Sequence, residues 1–172
     1  MYIFVLQWPP AVKAALGAGV SVPFGKLFSC FMVCCMLGST TFAYLSRTVA
    51  AEDVMSGMLL VATTAMAAAT TLGVPTGAIV PLIASFFAFE ACVGMYFPLI
   101  GTLRSKYLPD AYRGVIMNLF GIPLNLLVIS VFLSIRRLGV SGALRVATGA
   151  LGLATSAAAA LVYLTRDAAT TE

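Results

Sequence analysis

The chain has 172 residues, of which 61% are hydrophobic and only 9% are charged, and its formal net charge is +4. A soluble domain carries about 25% charged residues, so this composition excludes an ordinary water-exposed globular domain. Several apolar runs reach about 18 residues, a length typical of transmembrane helices. The Lys and Arg residues are scattered at the ends of these runs, so they indicate membrane-flanking charges and no nucleic acid is expected as a partner.

Six apolar segments joined by short connectors predict an all-α fold, a polytopic transmembrane bundle of about six helices in a single domain over residues 1–172. In the first segment, Pro9 and Pro10 predict either a broken helix or a helix that ends at Trp8. This segment has no signal-peptide features and begins inside an apolar run, so we expect the chain to be part of a longer protein. The predicted segments are 1–16, 24–45, 54–72, 78–103, 115–135 and 144–164.

The basic residues do not decide the orientation of these segments in the membrane. Assigning the connectors alternately to the two sides divides the ten Lys and Arg residues five to five, and the positive-inside rule then has no preference. One side, which includes the C-terminal tail, carries Arg47, Arg104, Lys106, Arg113 and Arg166. The other side carries Lys13, Lys26, Arg136, Arg137 and Arg145.

Catalysis and metal binding are not expected from the residues present. The chain has no His, and its four Cys residues lie inside apolar runs without a CxxC pair, which disfavours a metal site. It also lacks a nucleophile triad, a carboxylate pair and a Gly-rich phosphate loop. We therefore predict neither an enzyme nor a cofactor.

The fourth segment contains a single acid, Glu90, roughly 18 Å from either end of the segment and so near the bilayer centre. An ionisable group at that depth normally faces a partner or a cavity. Gly94 shares its helix face, and Pro98 cannot donate to the carbonyl of Gly94, so the three positions predict a groove facing water or a ligand. Glu90 is either a proton carrier or a gate that pairs with a cation, or it only locks helices together.

The fifth segment carries a second polar stripe, formed by Asn118 and Asn125 two helical turns apart. Gly121 leaves a gap between them, and Pro123 frees a backbone carbonyl. Asparagine amides suit an oxyanion but equally suit hydrogen bonds between helices, and Asn118 could simply cap or anchor its helix.

The connector before the fifth segment carries three cations with Asp110 between them. By itself it reads as an interfacial anchor. The cations are Arg104, Lys106 and Arg113.

The run FEACVGMYFPLIGTLRSKYLP followed by RGVIMNLFGIPLN, together with MYIFVLQWPP at the front, resembles the molybdate-anion transporter family of the major facilitator superfamily. The resemblance implies the C-terminal half of such a transporter, helices seven to twelve with an incomplete first helix, in the plasma membrane. It also implies that the tail and the connector from Arg104 to Arg113 are cytoplasmic. Molybdate or a similar small solute would cross by alternating access between two halves, along a pathway whose candidate residues are Glu90, Tyr96, Asn118 and Asn125.

One position departs from the resembled pattern, since Gly121 stands where the family usually has Arg. A guanidinium there would suit a tetrahedral oxyanion, so its loss leaves open a major-facilitator-type transporter of another small solute. A third alternative is a truncated membrane scaffold that transports nothing. The expected partners are the solute, the lipid bilayer and either the missing N-terminal half or another copy of the chain.

Overall fold

The computed structural model describes residues 1–17, 19–73, 77–109 and 111–170, apart from the side chains of residues 135–138 and 168–170. These ranges are helical and contain no strand, which confirms the predicted all-α fold. The four helices of the first two thirds are α1 (Tyr2–Leu16), α2 (Phe24–Leu45), α3 (Ala51–Ala68, extended by a π-helical turn over Ala69–Gly73) and α4 (Ile79–Tyr107).

A helical stretch over Arg113–Thr170 completes the chain, and Gly139 interrupts it with a positive φ of 63°. We call its two parts α5 (Arg113–Ser134) and α6 (Gly139–Asp167). Val131 and Ala143 lie on either side of Gly139 and pack together with Ile3, so the chain folds back at the glycine. The six predicted helices are therefore present, and their ends differ from the predicted ones by a few residues.

Five of these helices are long and apolar enough to cross a membrane: α2, α3 with its π-helical turn, α4, α5 and α6. The fifteen residues of α1 reach only about 22 Å, less than the hydrocarbon thickness of about 30 Å. The chain is therefore an integral, multi-pass membrane protein.

Helix α1 continues through both prolines to Leu16, so both predicted alternatives, a broken helix and an end at Trp8, are wrong. Each proline removes only one backbone donor, and tertiary packing holds the segment on both sides of the pair. The Trp8 ring lies 5.6 Å from the ring of Phe24 and 5.1 Å from that of Phe31 in α2.

Aromatic rings fill the space where α1, α2 and α4 meet. The Phe4 ring centroid of α1 lies 6.0 Å from that of Phe31, 5.1 Å from Phe86 and 4.8 Å from Phe89. Such edge-to-face and tilted pairs stabilise by about 0.5–1.5 kcal/mol beyond the area they bury. This cluster places the start of α1 against the middle of α4.

Helices α2 and α4 cross with their main chains in contact. A Cβ at Gly38 would collide with the backbone of Ala91, and a Cβ at Gly94 would collide with the backbone of Cys35. Small residues permit this close approach in membrane helices. The backbone of α2 thus fills the notch at Gly94, and the prediction of an open groove there is wrong.

Helix α6 lies antiparallel to α3, and two polar contacts join them. The hydroxyls of Thr63 and Thr155 are 2.9 Å apart in mid-helix, and the Arg166 guanidinium lies 2.9 Å from the Asp53 carboxylate near the end. Even so, α5 and α6 each bury only a small share of their residues in the described part of the chain. Both helices therefore present open surface to whatever surrounds this bundle.

Candidate functional site

Glu90 lies inside the bundle, with only 5% of its surface exposed. It directly follows Phe89 of the aromatic cluster in α4. Within the described ranges, its carboxyl group forms no hydrogen bond. An acid buried in a membrane bundle normally faces a partner or a cavity, so Glu90 is a candidate functional residue.

Gln7 is another polar side chain in the interior, and no sequence pattern indicated it. It is 2% exposed, and its amide forms no hydrogen bond to any residue that the structure describes. By helical spacing it lies between Phe4, which packs on α4, and Ile3, which packs on α5 and α6. The signal that could have revealed it is an amide inside an apolar run, directly before Trp8 and the two prolines.

The other predicted pathway residues lie on the surface of the bundle. Asn118 and Asn125 are both exposed on α5, and Tyr96 of α4 is 36% exposed. A Cβ at Gly121, between the asparagines, would have no other atom within 4 Å. The structure therefore separates a buried acid from an exposed amide stripe and does not bring the two together within this chain.

Both prolines of the predicted stripes lie within continuous helices. Pro98 is inside α4, where its carbonyl accepts a hydrogen bond from the Thr102 hydroxyl at 3.1 Å. Pro123 is inside α5, two residues after Gly121. The carbonyls that these prolines free belong to Gly94 and Leu119.

The predicted basic connector is part of a charged cluster that ties helix ends together. One carboxylate oxygen of Glu52 accepts hydrogen bonds from the Lys106 ammonium at 2.6 Å and from the Tyr107 hydroxyl at 2.5 Å. Glu52 is only 6% exposed, whereas the pair between Asp53 and Arg166 is more open to water. Lys106 therefore does more than anchor a helix in the interface, because it joins the end of α4 to the start of α3.

An open cavity of about 450 Å³ lies at the end of α4. Arg113 lines it together with Lys106 and donates a hydrogen bond to the Leu108 carbonyl at 3.3 Å. Arg104 lies in the last turn of α4, where a cation also suits the helix dipole. Asp110 lies outside the described residues.

Comparison with known proteins places the chain among membrane transporters. A family model described as "sugar transporters, 12 TM" matches residues 1–101. Three similar proteins are called molybdate-anion transporters: that of Takifugu rubripes is 31% identical over 134 residues, that of Danio rerio 29% over 133 residues, and that of Xenopus tropicalis 25% over 134 residues.

Each alignment covers 74% of this chain but only 26%, 26% and 28% of the respective relative. The chain thus spans about a quarter of the length of the curated relatives it matches. No solved structure matches it with significance. Since the family model covers more than half of the chain, the chain belongs to this twelve-helix transporter family of the major facilitator superfamily, and molybdate-anion transporters are among the proteins it is similar to.

Proposed function

We propose that this chain is the C-terminal half, helices seven to twelve, of a plasma-membrane transporter that takes up molybdate or a similar small oxyanion by alternating access. The names of the relatives support the cargo, and the family supports transport rather than catalysis. The partner is the N-terminal half of the same protein or a second copy of the chain. In such folds the solute site lies between two halves near the bilayer midplane.

The observation that carries this proposal is the exposed polar stripe of α5. Asn118 and Asn125 stand on a transmembrane helix that packs little against its own bundle. Amides on a lipid-facing surface would lack partners, so a second half that covers α5 explains their position. Their N–H groups can then donate to the oxygens of a tetrahedral anion.

Glu90 has a different role in this proposal, because it lies inside the half rather than on the surface facing the partner. A carboxyl without a hydrogen-bond partner in the described residues can take up and release a proton when neighbouring helices move. It therefore acts on the transport cycle as a proton carrier, while the stripe on α5 contacts the anion.

The test is molybdate uptake by cells that express the full-length protein and its variants. Asn125→Ala should lower uptake about tenfold or more, since one lost hydrogen bond to a charged ligand costs about 1.5–3 kcal/mol. Glu90→Gln should slow uptake while leaving molybdate affinity nearly unchanged. Ser130→Ala is the matched control, because that exposed hydroxyl of α5 bonds only to the Leu126 carbonyl of its own helix. Wild-type uptake in both test variants would reject these roles.

A neutral small solute is the second candidate cargo. It is favoured by the description of the matching family as sugar transporters and by Gly121, which leaves the amide stripe without a cation. Gly121→Arg meets no other atom at the Cβ position, so the variant should fold and should increase molybdate uptake if the cargo is an anion. If the variant lowers uptake of a sugar and adds none for molybdate, the neutral solute is the better assignment.

A further inference from the structure

The two ends of the bundle differ in how their cations are compensated. We call the end where α3 begins and α4 ends the paired end, because Glu52 binds Lys106 there and Asp53 binds Arg166. By chain position, every acid except Glu90 belongs to the paired end; Asp110 and Glu172 among them lie outside the described residues. The paired end has five cations and five acids.

The opposite end, which we call the basic end, has five cations and no acid. Its residues are Lys13, Lys26, Arg136, Arg137 and Arg145. The formal net charge of +4 is thus concentrated at one end of the molecule, although counting basic residues alone makes the two ends equal.

Helix directions place these cations at one end. Ala15 approaches Gly77, just before α4 begins, while Phe4 packs on the middle of α4, so α1 ends where α4 begins. The Lys13 ammonium lies 5.5 Å from the centroid of the Phe24 ring at the start of α2. Helix α6 runs antiparallel to α3 and therefore begins at this end, about 9 Å before Arg145.

The side chains of Lys13, Lys26 and Arg145 are exposed. Lys13 also borders an open cavity of about 620 Å³, lined in addition by Ala14, Gly17, Gly19 and Val20.

We propose that the basic end is an anion-binding surface that collects small oxyanions at the uptake side of the pathway. This inference rests on the proposed function for its biological use and deepens it by naming the surface that the anion meets first. Clustered charges of one sign raise the local concentration of oppositely charged solutes. They can raise association rates by a factor of about 10–10³. The effect falls with salt because the Debye length shrinks from about 30 Å at 0.01 M to about 3 Å at 1 M.

Thiol reactivity measures this charge without requiring transport. In a full-length protein whose native cysteines are replaced, Val20→Cys reports on the basic end and Val49→Cys on the paired end, and both parent valines are exposed. The readout is a ratio of two rates of thiol modification, measured on the protein in phosphatidylcholine vesicles. The rate with an anionic methanethiosulfonate is divided by the rate with a neutral one. At about 0.01 M salt this ratio should be about tenfold higher at residue 20, and the difference should vanish at about 1 M.

Charge removal supplies matched variants for the same measurement. Lys13→Gln with Lys26→Gln should lower the ratio at residue 20 severalfold, whereas Arg47→Gln with Arg104→Gln at the paired end should leave it unchanged. Millimolar molybdate should slow the anionic reagent at residue 20 only. In intact cells, a membrane-impermeant reagent should reach residue 20 and not residue 49.

Equal ratios at the two positions, or a ratio indifferent to salt and to molybdate, would overturn the inference. Labelling of residue 20 from the cytoplasmic side alone would also overturn it. If added anionic lipid abolished the effect of molybdate, the surface would instead be a lipid-headgroup site. If the cysteine-free protein does not fold, the KM for uptake by the two charge variants decides: it should rise severalfold in Lys13→Gln with Lys26→Gln only, at low salt. If molybdate is taken up but the ratios at residues 20 and 49 are equal, only the anion-binding surface is rejected. If the ratios differ but molybdate is not taken up, only the proposed function is rejected.

Discussion

Three of the buried polar side chains in this bundle differ in their hydrogen bonding. Glu52 receives hydrogen bonds from Lys106 and Tyr107, whereas Glu90 and Gln7 receive none from the residues that the structure describes. Buried polar groups normally have partners, because an unmade hydrogen bond costs about 1–3 kcal/mol. Glu52 therefore has a structural role, because it joins two helices. The hydrogen bonds of the described residues do not explain why Glu90 and Gln7 are buried.

Neutralising Glu52 should loosen the junction between α3 and α4. Glu52→Gln removes the charge opposite Lys106, and we expect the melting temperature to fall by about 2–4 °C. Asp53→Asn makes the same change one residue away in a more exposed pair and should lower it by less than about 1 °C. Thermal unfolding of the purified protein in detergent measures both values. Equal shifts would show that the burial of Glu52 does not matter.

Gln7 should respond in the opposite direction. Replacing an unpartnered buried amide by an apolar side chain of similar shape is nearly neutral or stabilising, so Gln7→Met should keep or raise the melting temperature. If Gln7 serves the transport cycle, the same variant should lower molybdate uptake despite its stability. A marked loss of stability would contradict this account, because it would mean that Gln7 has a structural partner.

At the scale of the elements, α2 and α4 touch through their main chains, whereas α5 and α6 bury little of their surface. The α2–α4 crossing depends on Gly38 and Gly94, where two backbones touch. Helix α5 depends on nothing comparable within the described chain. The bundle therefore combines a closely packed crossing of α2 and α4 with two helices, α5 and α6, that are open on much of their surface.

The crossing predicts a sharp difference between two glycines of α4. Gly94→Ala forces the backbones of α2 and α4 apart and should cost about 1–3 kcal/mol. Gly101→Ala meets no other atom within 4 Å and should be neutral or stabilising by about 0.5–1 kcal/mol. Chemical denaturation of the two variants in detergent compares them directly. Equal effects would mean that α2 and α4 do not cross at Gly94.

The sequence predicted the helices well and their contacts poorly, for physical reasons. Apolar run length determines where a membrane helix can exist, which is why six helices were found with only small shifts at their ends. Spacing along one helix also showed that Glu90 and Gly94 share a face. It could not show that Cys35 of a distant helix fills the notch, nor that Glu52 meets Lys106 fifty-four residues later.

The candidate site was predictable to a similar extent. An acid in the middle of an apolar run and two asparagines seven residues apart are visible in one sequence, and the structure places Glu90 inside and Asn118 and Asn125 outside. In the proposed function the pathway lies between this bundle and a second half, so spacing within one chain cannot pair the residues that line it. Gln7 was missed because a single neutral amide carries little weight beside a charged residue.

At the scale of the whole molecule, the chain provides about a quarter of the length of its relatives and concentrates its net charge at one end. In the function that we propose, this bundle is one half of an anion transporter. The exposed stripe of α5 would contact the anion, and the basic end would collect it from solution.

The most direct measurement is uptake of labelled molybdate by the full-length protein in reconstituted vesicles, with a labelled sugar as the competing cargo. We expect saturable molybdate uptake that excess unlabelled molybdate suppresses, that excess sugar leaves unchanged and that Asn125→Ala lowers about tenfold. Saturable sugar uptake with no uptake of molybdate would contradict the assignment of an oxyanion as the cargo.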